Sequence, residues 1–375
     1  MLSLNWRSLR YIDSLKKIIS FNTHLIMKKF TSVSQFGLIF ITVFSGLLIS
    51  FKIAPKSMNK MQATLDPNGQ VVISEGDKPV LRYNYQMVYE DDEFSFNGMD
   101  ANEYVVTPED TFMANPSIYA VPRSDYIHPL YGLRGEILTR DWSKDHPHHR
   151  GIYWAWPEVS YRGELSDLHA LQKVFARPTG KIILQNKPEY AQIEAENLWI
   201  TEEEIMPIVR EVALIKAYPQ KDQIRLVDLA FRFEALKEGV TIARRGTNAY
   251  GGLNIRMMTP ESQEISFHTD ESGTQPIRAW SDLSGVFAGN NNRSGLMVIQ
   301  HPENPEYPGD WVQYPELSWI QPTFPSSGTR YPIEPKMPLL LRFRLVIHAG
   351  EKPEENVIKM LWDAYGAEPV PDFTF

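Results

Sequence analysis

The run Asp145-His146-Pro147-His148-His149-Arg150-Gly151 places three of the chain's nine histidines within four positions and puts an arginine beside them. An imidazole gains or loses a proton near neutral pH, and its neutral ring binds transition metals. Two chemistries follow. His146, His148 or His149 could transfer a proton. Alternatively the three could ligate a metal, with His128 or His301 as a further ligand and Asp145 or Glu136 as a nearby carboxylate. If residues 148–156 are extended, His148 and Arg150 share one face and His149 takes the other. A capped surface turn explains a lone histidine, but this density before a strand-like Ile152-Tyr153-Trp154-Ala155-Trp156 points to a site.

Three further stretches carry suitable groups. Asp125-Tyr126-Ile127-His128-Pro129 offers His128. The segment from Ala243 to Arg256 supplies Arg244, Arg245, Asn248, Tyr250 and Arg256 around flexible glycines. Arginine forks hold carboxylates bidentately, although Arg244 and Arg245 could equally pair with surface acids. The loop His301-Pro302-Glu303-Asn304-Pro305 leads to Trp311, so His301 could supply a polar group and Trp311 a platform for a sugar ring. Glu136, Glu158 and Glu164 are candidates for two-carboxylate hydrolysis, but nothing in the sequence pairs them.

These motifs, in this order, resemble the DUF6807 family from about Pro122 to His348. Members are widely labelled methane oxygenases, a label at odds with a body that has no series of long apolar helices. The resemblance implies a secreted β-sandwich protein of polysaccharide-degrading bacteria. It also implies an oligosaccharide dehydratase that removes water from a terminal uronic acid, as in the breakdown of algal polysaccharide. In that reading His146, His148, His149 and Tyr250 are catalytic. His128, Arg150, Arg244, Arg245, Asn248, Arg256, His301 and Trp311 bind the acidic oligosaccharide. No cofactor is required. The competing readings are a metal-dependent glycan hydrolase or lyase with the ion at His146, His148 and His149, and a non-catalytic carbohydrate-binding protein that uses its nine tryptophans for stacking.

The elements that must position these groups read as strands. Residues 181–185, 191–196, 208–215, 224–233, 296–300 and 339–348 are short apolar or alternating runs bounded by Pro, Gly, Asn and Asp. Residues 224–233 alternate apolar and charged, which predicts a sheet with one wet face. One helix closes the chain: Pro353 suits its first turn, and Val357, Met360, Leu361 and Tyr365 would line its buried face. The expectation is an all-β fold, one large antiparallel β-sandwich over residues 56–375 with a short C-terminal helix.

Composition removes other classes. The chain has 375 residues and no cysteine, so disulfide scaffolds, iron–sulfur clusters and thiol nucleophiles are out. The formal net charge is −8. Residues 1–55 carry seven basic side chains against Asp13 alone, so the body is more acidic than the whole. An acidic body does not bind nucleic acid through a broad basic face, and there is no phosphate loop or dinucleotide fingerprint. Phe30 to Phe51 has no charged residue and follows Met27-Lys28-Lys29. That is the layout of a secretory signal starting at Met27, or of an uncleaved membrane anchor. Either puts the body in the periplasm or outside the cell, with membrane contact only through this segment.

Overall fold

Strands whose residues alternate between two environments can bury one face in a shared core, and most of this chain does so. The computed structural model describes residues 60–89, 105–107, 110–112, 119–143, 145–202, 206–268 and 278–375. The expected signal or anchor in residues 1–55 lies outside them. Among the described residues, no helix is long and apolar enough to cross a membrane.

Two eight-stranded antiparallel sheets make an all-β sandwich. The first runs, in spatial order, Met61–Leu65, Val71–Glu75, Lys78–Asn84, Tyr126–Leu130, Ile152–Ala155, Gly252–Arg256, Trp319–Pro322 and Trp311–Tyr314. The second runs Val174–Asn186, Ala191–Thr201, Val209–Ala217, Ile224–Ala235, Leu339–Ala349, Ser294–Gln300, Trp280–Val286 and Glu261–Phe267. A four-stranded sheet of Tyr331–Ile333, Val240–Ala243, Glu158–Tyr161 and Glu164–Ser166 lies beside them. Strands read from the sequence recur here with longer ends.

Aromatic residues dominate the space between the sheets. Trp154 lies 4.0 Å from Phe231, and Trp156 sits against Trp199 and Phe233 at 5.7 and 5.2 Å. Trp154 and Trp156 therefore face the second sheet, and by strand alternation Tyr153 faces away from it. That outer face carries the site.

Two expectations about the far sheet are corrected. Ile224–Ala235 has no wet face. Its polar side is roofed by the chain's last residues: Arg344 binds Asp228 and Glu368, each at 2.6 Å, and Arg232 donates to the Phe375 carbonyl at 2.7 Å. Arg225 is likewise buried and bonds Glu75 at 2.7 Å. The helix, Glu355–Gly366, buries Ile358 and Tyr365, whereas Met360 is 61% exposed. Of the predicted inner stripe Tyr365 is buried, with Arg344 over its ring at 4.3 Å, Val357 and Leu361 are half-buried, and Met360 alone faces solvent.

Candidate functional site

Three neighbouring strands of the first sheet present polar residues on the outer face. Ile152–Ala155 contributes Tyr153, Gly252–Arg256 contributes Asn254 and Arg256, and Trp319–Pro322 contributes Trp319 and Gln321. Gln321 Oε1 accepts from the Gly251 amide at 2.9 Å and its Nε2 donates to Asn254 Oδ1. Asn254 Nδ2 donates to the Gly252 carbonyl at 2.8 Å. These three strands form a rigid floor.

The histidine motif folds over this floor as a turn, so the expected alternation of its side chains fails. Residue 149's amide donates to the His146 carbonyl at 2.9 Å. Gly151 takes φ +60°, and a Cβ there would overlap the Ile127 carbonyl oxygen. Only glycine fits both demands. The turn brings the rings of His148 and His149 to 4.5 Å and stacks His146 on His149 at 4.6 Å. A fourth imidazole, His169, completes the group at 5.2 Å from His148 and 5.3 Å from His149. His169 sits on a turn closed by the Asp167 and Gln172 backbones. Sequence reading missed it because a lone histidine carries no spacing signal.

Aromatic rings wall the cluster. Trp319 lies 4.9 Å from His149, and Tyr250 lies 5.0 Å from His169. Tyr119 lies 5.0 Å from His148. Tyr153 Oη is 2.9 Å from His169 Nε2. Arg123 stands over the Tyr153 ring at 4.5 Å and donates to the Leu168 and His169 carbonyls at 2.6 and 2.8 Å, fixing that turn. His149 and His169 are buried and His148 is half-buried. Burial pushes the pKa of all three well below the usual value, and neighbouring imidazoles and arginines push the same way. They stand neutral at pH 7. Among the described residues, neither His148 Nδ1 nor His149 Nδ1 has a hydrogen-bond partner.

Two acid–base pairs stand at the rim. Asp145 Oδ2 is 3.2 Å from His146 Nδ1 and accepts from Arg256 Nη2 at 2.7 Å. Burial raises the Asp145 pKa, but the bond from His146 and the charge of Arg256 outweigh it and hold the carboxyl below its ordinary range. The His146 ring, 38% exposed, is thus tethered at one nitrogen by a fixed carboxylate. On the other side Arg245 lies 3.5 Å from Asp167 and bonds Tyr250. Burial lifts Asp167 to about 6 despite the Ala170 amide and Arg245.

The family model described as a family of unknown function, DUF6807, matches residues 70–363, which include every residue above. The chain belongs to this family. No curated protein matches it.

Within this DUF6807 chain, the histidine turn gathers His146, His148 and His149 as expected, with Tyr250, Arg245 and Arg256 around them. The other predicted residues sit elsewhere. Arg150 is fully buried: it binds Asp141, donates to Tyr126 Oη at 2.6 Å and lies 3.7 Å over Trp142. The turn at Gly151 aims it away from the imidazoles, so it is a packing arginine and holds no substrate. His128 Nδ1 is 3.0 Å from Thr139 Oγ1, beside that same ion pair. His301 Nε2 bonds the Tyr365 carbonyl at 3.1 Å and its Nδ1 accepts the Glu303 amide, so it pins the helix. Arg244 is bound to Asp310 at 3.0 Å and to Thr323. With Asn248, Arg278 and Trp311 it lines a separate cleft of about 390 Å³. Trp311 is half-buried there and donates to the Arg278 carbonyl at 2.8 Å. The candidate carboxylates share no contact among the described residues: Glu158 holds Arg330, Glu164 lies 3.9 Å from Lys173, and Glu136 accepts the Arg134 amide.

Proposed function

We propose that this DUF6807 protein is a carbon–oxygen lyase that eliminates water from a uronic acid at the end of an acidic oligosaccharide. The observation that carries the reading is the Asp145–His146 pair, held by Arg256, beside a cluster of uncharged imidazoles and tyrosines. Elimination needs a base for the proton beside the carboxylate, a donor for the departing hydroxyl, and positive charge to stabilise the enolate-like state. His146 takes the C–H proton on Nε2 while Asp145 holds its Nδ1–H. The electron pair forms the carbon–carbon double bond as the neighbouring C–O bond breaks. Tyr250 Oη protonates the leaving hydroxyl, which departs as water, and a proton passed from His146 to the tyrosinate resets the site. Arg245, half exposed beside Tyr250, and Arg256 face the carboxylate.

Mass spectrometry of uronic-acid oligosaccharides incubated with the purified protein tests this. The expected product keeps its chain length and loses one water. Chain splitting with an unsaturated end would instead make it a polysaccharide lyase. Splitting with gain of water, or no change across a broad panel, would overturn the proposal. Secretion follows from the same substrate class, because polymers of this kind are met outside the cytoplasm. Fractionation of a producing cell checks it.

A further inference from the structure

Arg150 and Arg244, two of the arginines expected to neutralise a substrate carboxylate, are committed to Asp141 and Asp310. In their place the fold gathers three imidazoles. His148, His149 and His169 each offer one ring nitrogen, and these atoms all lie within 4.8 Å of one another. Buried polar atoms normally have partners. Here His148 Nδ1 and His149 Nδ1 have none among the described residues, and the His149 side chain is 3% exposed. Three imidazoles gathered this closely, with two buried ring nitrogens left unpaired, make an arrangement that costs desolvation and that a bound ion would offset.

We propose that His148, His149 and His169 bind one divalent transition-metal ion of the zinc class. Neutral imidazole is the preferred ligand of such ions, with nitrogen–metal bonds of about 2.0–2.1 Å. Ligand nitrogens around one tetrahedral ion then stand about 3.4 Å apart, so the rings close by up to about 1.4 Å on loading. Three histidines leave a coordination position open, as in catalytic sites. Tyr153 supplies the outer support: its hydroxyl at 2.9 Å from His169 Nε2 orients that ring, as groups behind metal-bound histidines do. Arg123, bonded to the carbonyls of Leu168 and His169, holds the backbone that carries it. His146 stays outside the triad, with its Nδ1 on Asp145. The fourth coordination position would be left to a water or to a substrate group. That it takes the substrate carboxylate rests on the elimination reading; the binding of the ion does not.

The test uses the full chain, stripped with chelator and titrated with Zn2+ and with Co2+. Isothermal calorimetry should give one ion per chain with a Kd in the micromolar range or below. Bound Co2+ should give visible absorption bands of imidazole ligation. His148→Ala, which changes a half-buried ring, and His169→Gln should each weaken Zn2+ at least 100-fold. His146→Ala should leave binding within threefold. If either ligand variant fails to fold, the melting temperature of the intact chain decides: it should rise with Zn2+ and not with Mg2+. No binding by the intact chain, or binding that survives both ligand substitutions, overturns the proposal. Water loss from substrate by the fully stripped protein would sink the ion's part in the reaction and leave the elimination standing. One bound ion with no water loss from any uronic acid would do the reverse.

Discussion

The strand Ile152–Ala155 separates two polar clusters that are opposites in one respect. Behind it, Trp154 Nε1 donates to Glu211, which also accepts from Trp199 Nε1 at 2.6 Å. Glu211 hydrogen-bonds Asp125, which accepts from Tyr83 at 2.6 Å and Asn197 at 2.9 Å. In that group only Asn197 Oδ1 lacks a partner among the described residues. In front of the strand, the imidazole cluster leaves two ring nitrogens without one. Both clusters are buried and both hold titratable groups. The inner one is closed on itself and ties the two sheets together. The outer one is not closed in this way among the described residues. The two clusters thus differ in how fully their polar atoms are hydrogen-bonded.

Substitutions on the two sides should therefore fail differently. His146→Ala should lower turnover by about 10²–10⁴-fold, the usual worth of a positioned base. Its melting temperature should hold, and a parallel loss of both would erase the distinction. Arg150→Met leaves Asp141 buried without its cation and should cost about 3 kcal/mol in urea unfolding. The KM for substrate should not change, and a raised KM would return Arg150 to the site. Glu211→Ala strands two tryptophan N–H groups and should cost roughly 2–4 kcal/mol, with the folded fraction still turning over.

The smallest effect is in pH dependence. Burial, and then the Asp125 charge, push Glu211 well above the ordinary carboxylate range. The folded protein thus keeps a proton on this pair that the unfolded chain releases near pH 4. Its stabilising share is complete below that pH and is lost as pH rises through the folded value. Urea midpoints should fall as pH rises above about 4 in the native protein and run flatter in Glu211→Gln. Equal slopes would mean the pair carries no shared proton.

The fold was largely legible from sequence because alternation and turn residues mark strands directly. Lys181 to Gln185, Ile224 to Phe233 and Leu339 to His348 each lie inside an observed strand. The roof over Ile224–Ala235 was not, since its partners come from residues 365–375. The site was half legible. A dense motif exposed His146, His148 and His149. His169, Arg123 and Tyr153 had no such marker, because proximity between them arises only when separate loops meet. Arg150 misled for a related reason: extended geometry was assumed through Gly151, where the backbone turns with φ +60°. The histidines of the 128 and 301 segments are satisfied by a threonine hydroxyl and by backbone, the ordinary fate of isolated histidines.

The pairing that creates the floor has a kinetic side. Tyr153 and Asn254, hydrogen-bonded neighbours, are 101 residues apart in sequence. Non-local pairings of this kind close late, because the loop entropy must be surrendered before the contacts reward it. A nascent chain released only as far as Ala243 contains all four imidazoles but lacks the two strands on which they rest. During synthesis the imidazole cluster therefore comes together only after most of the domain has emerged.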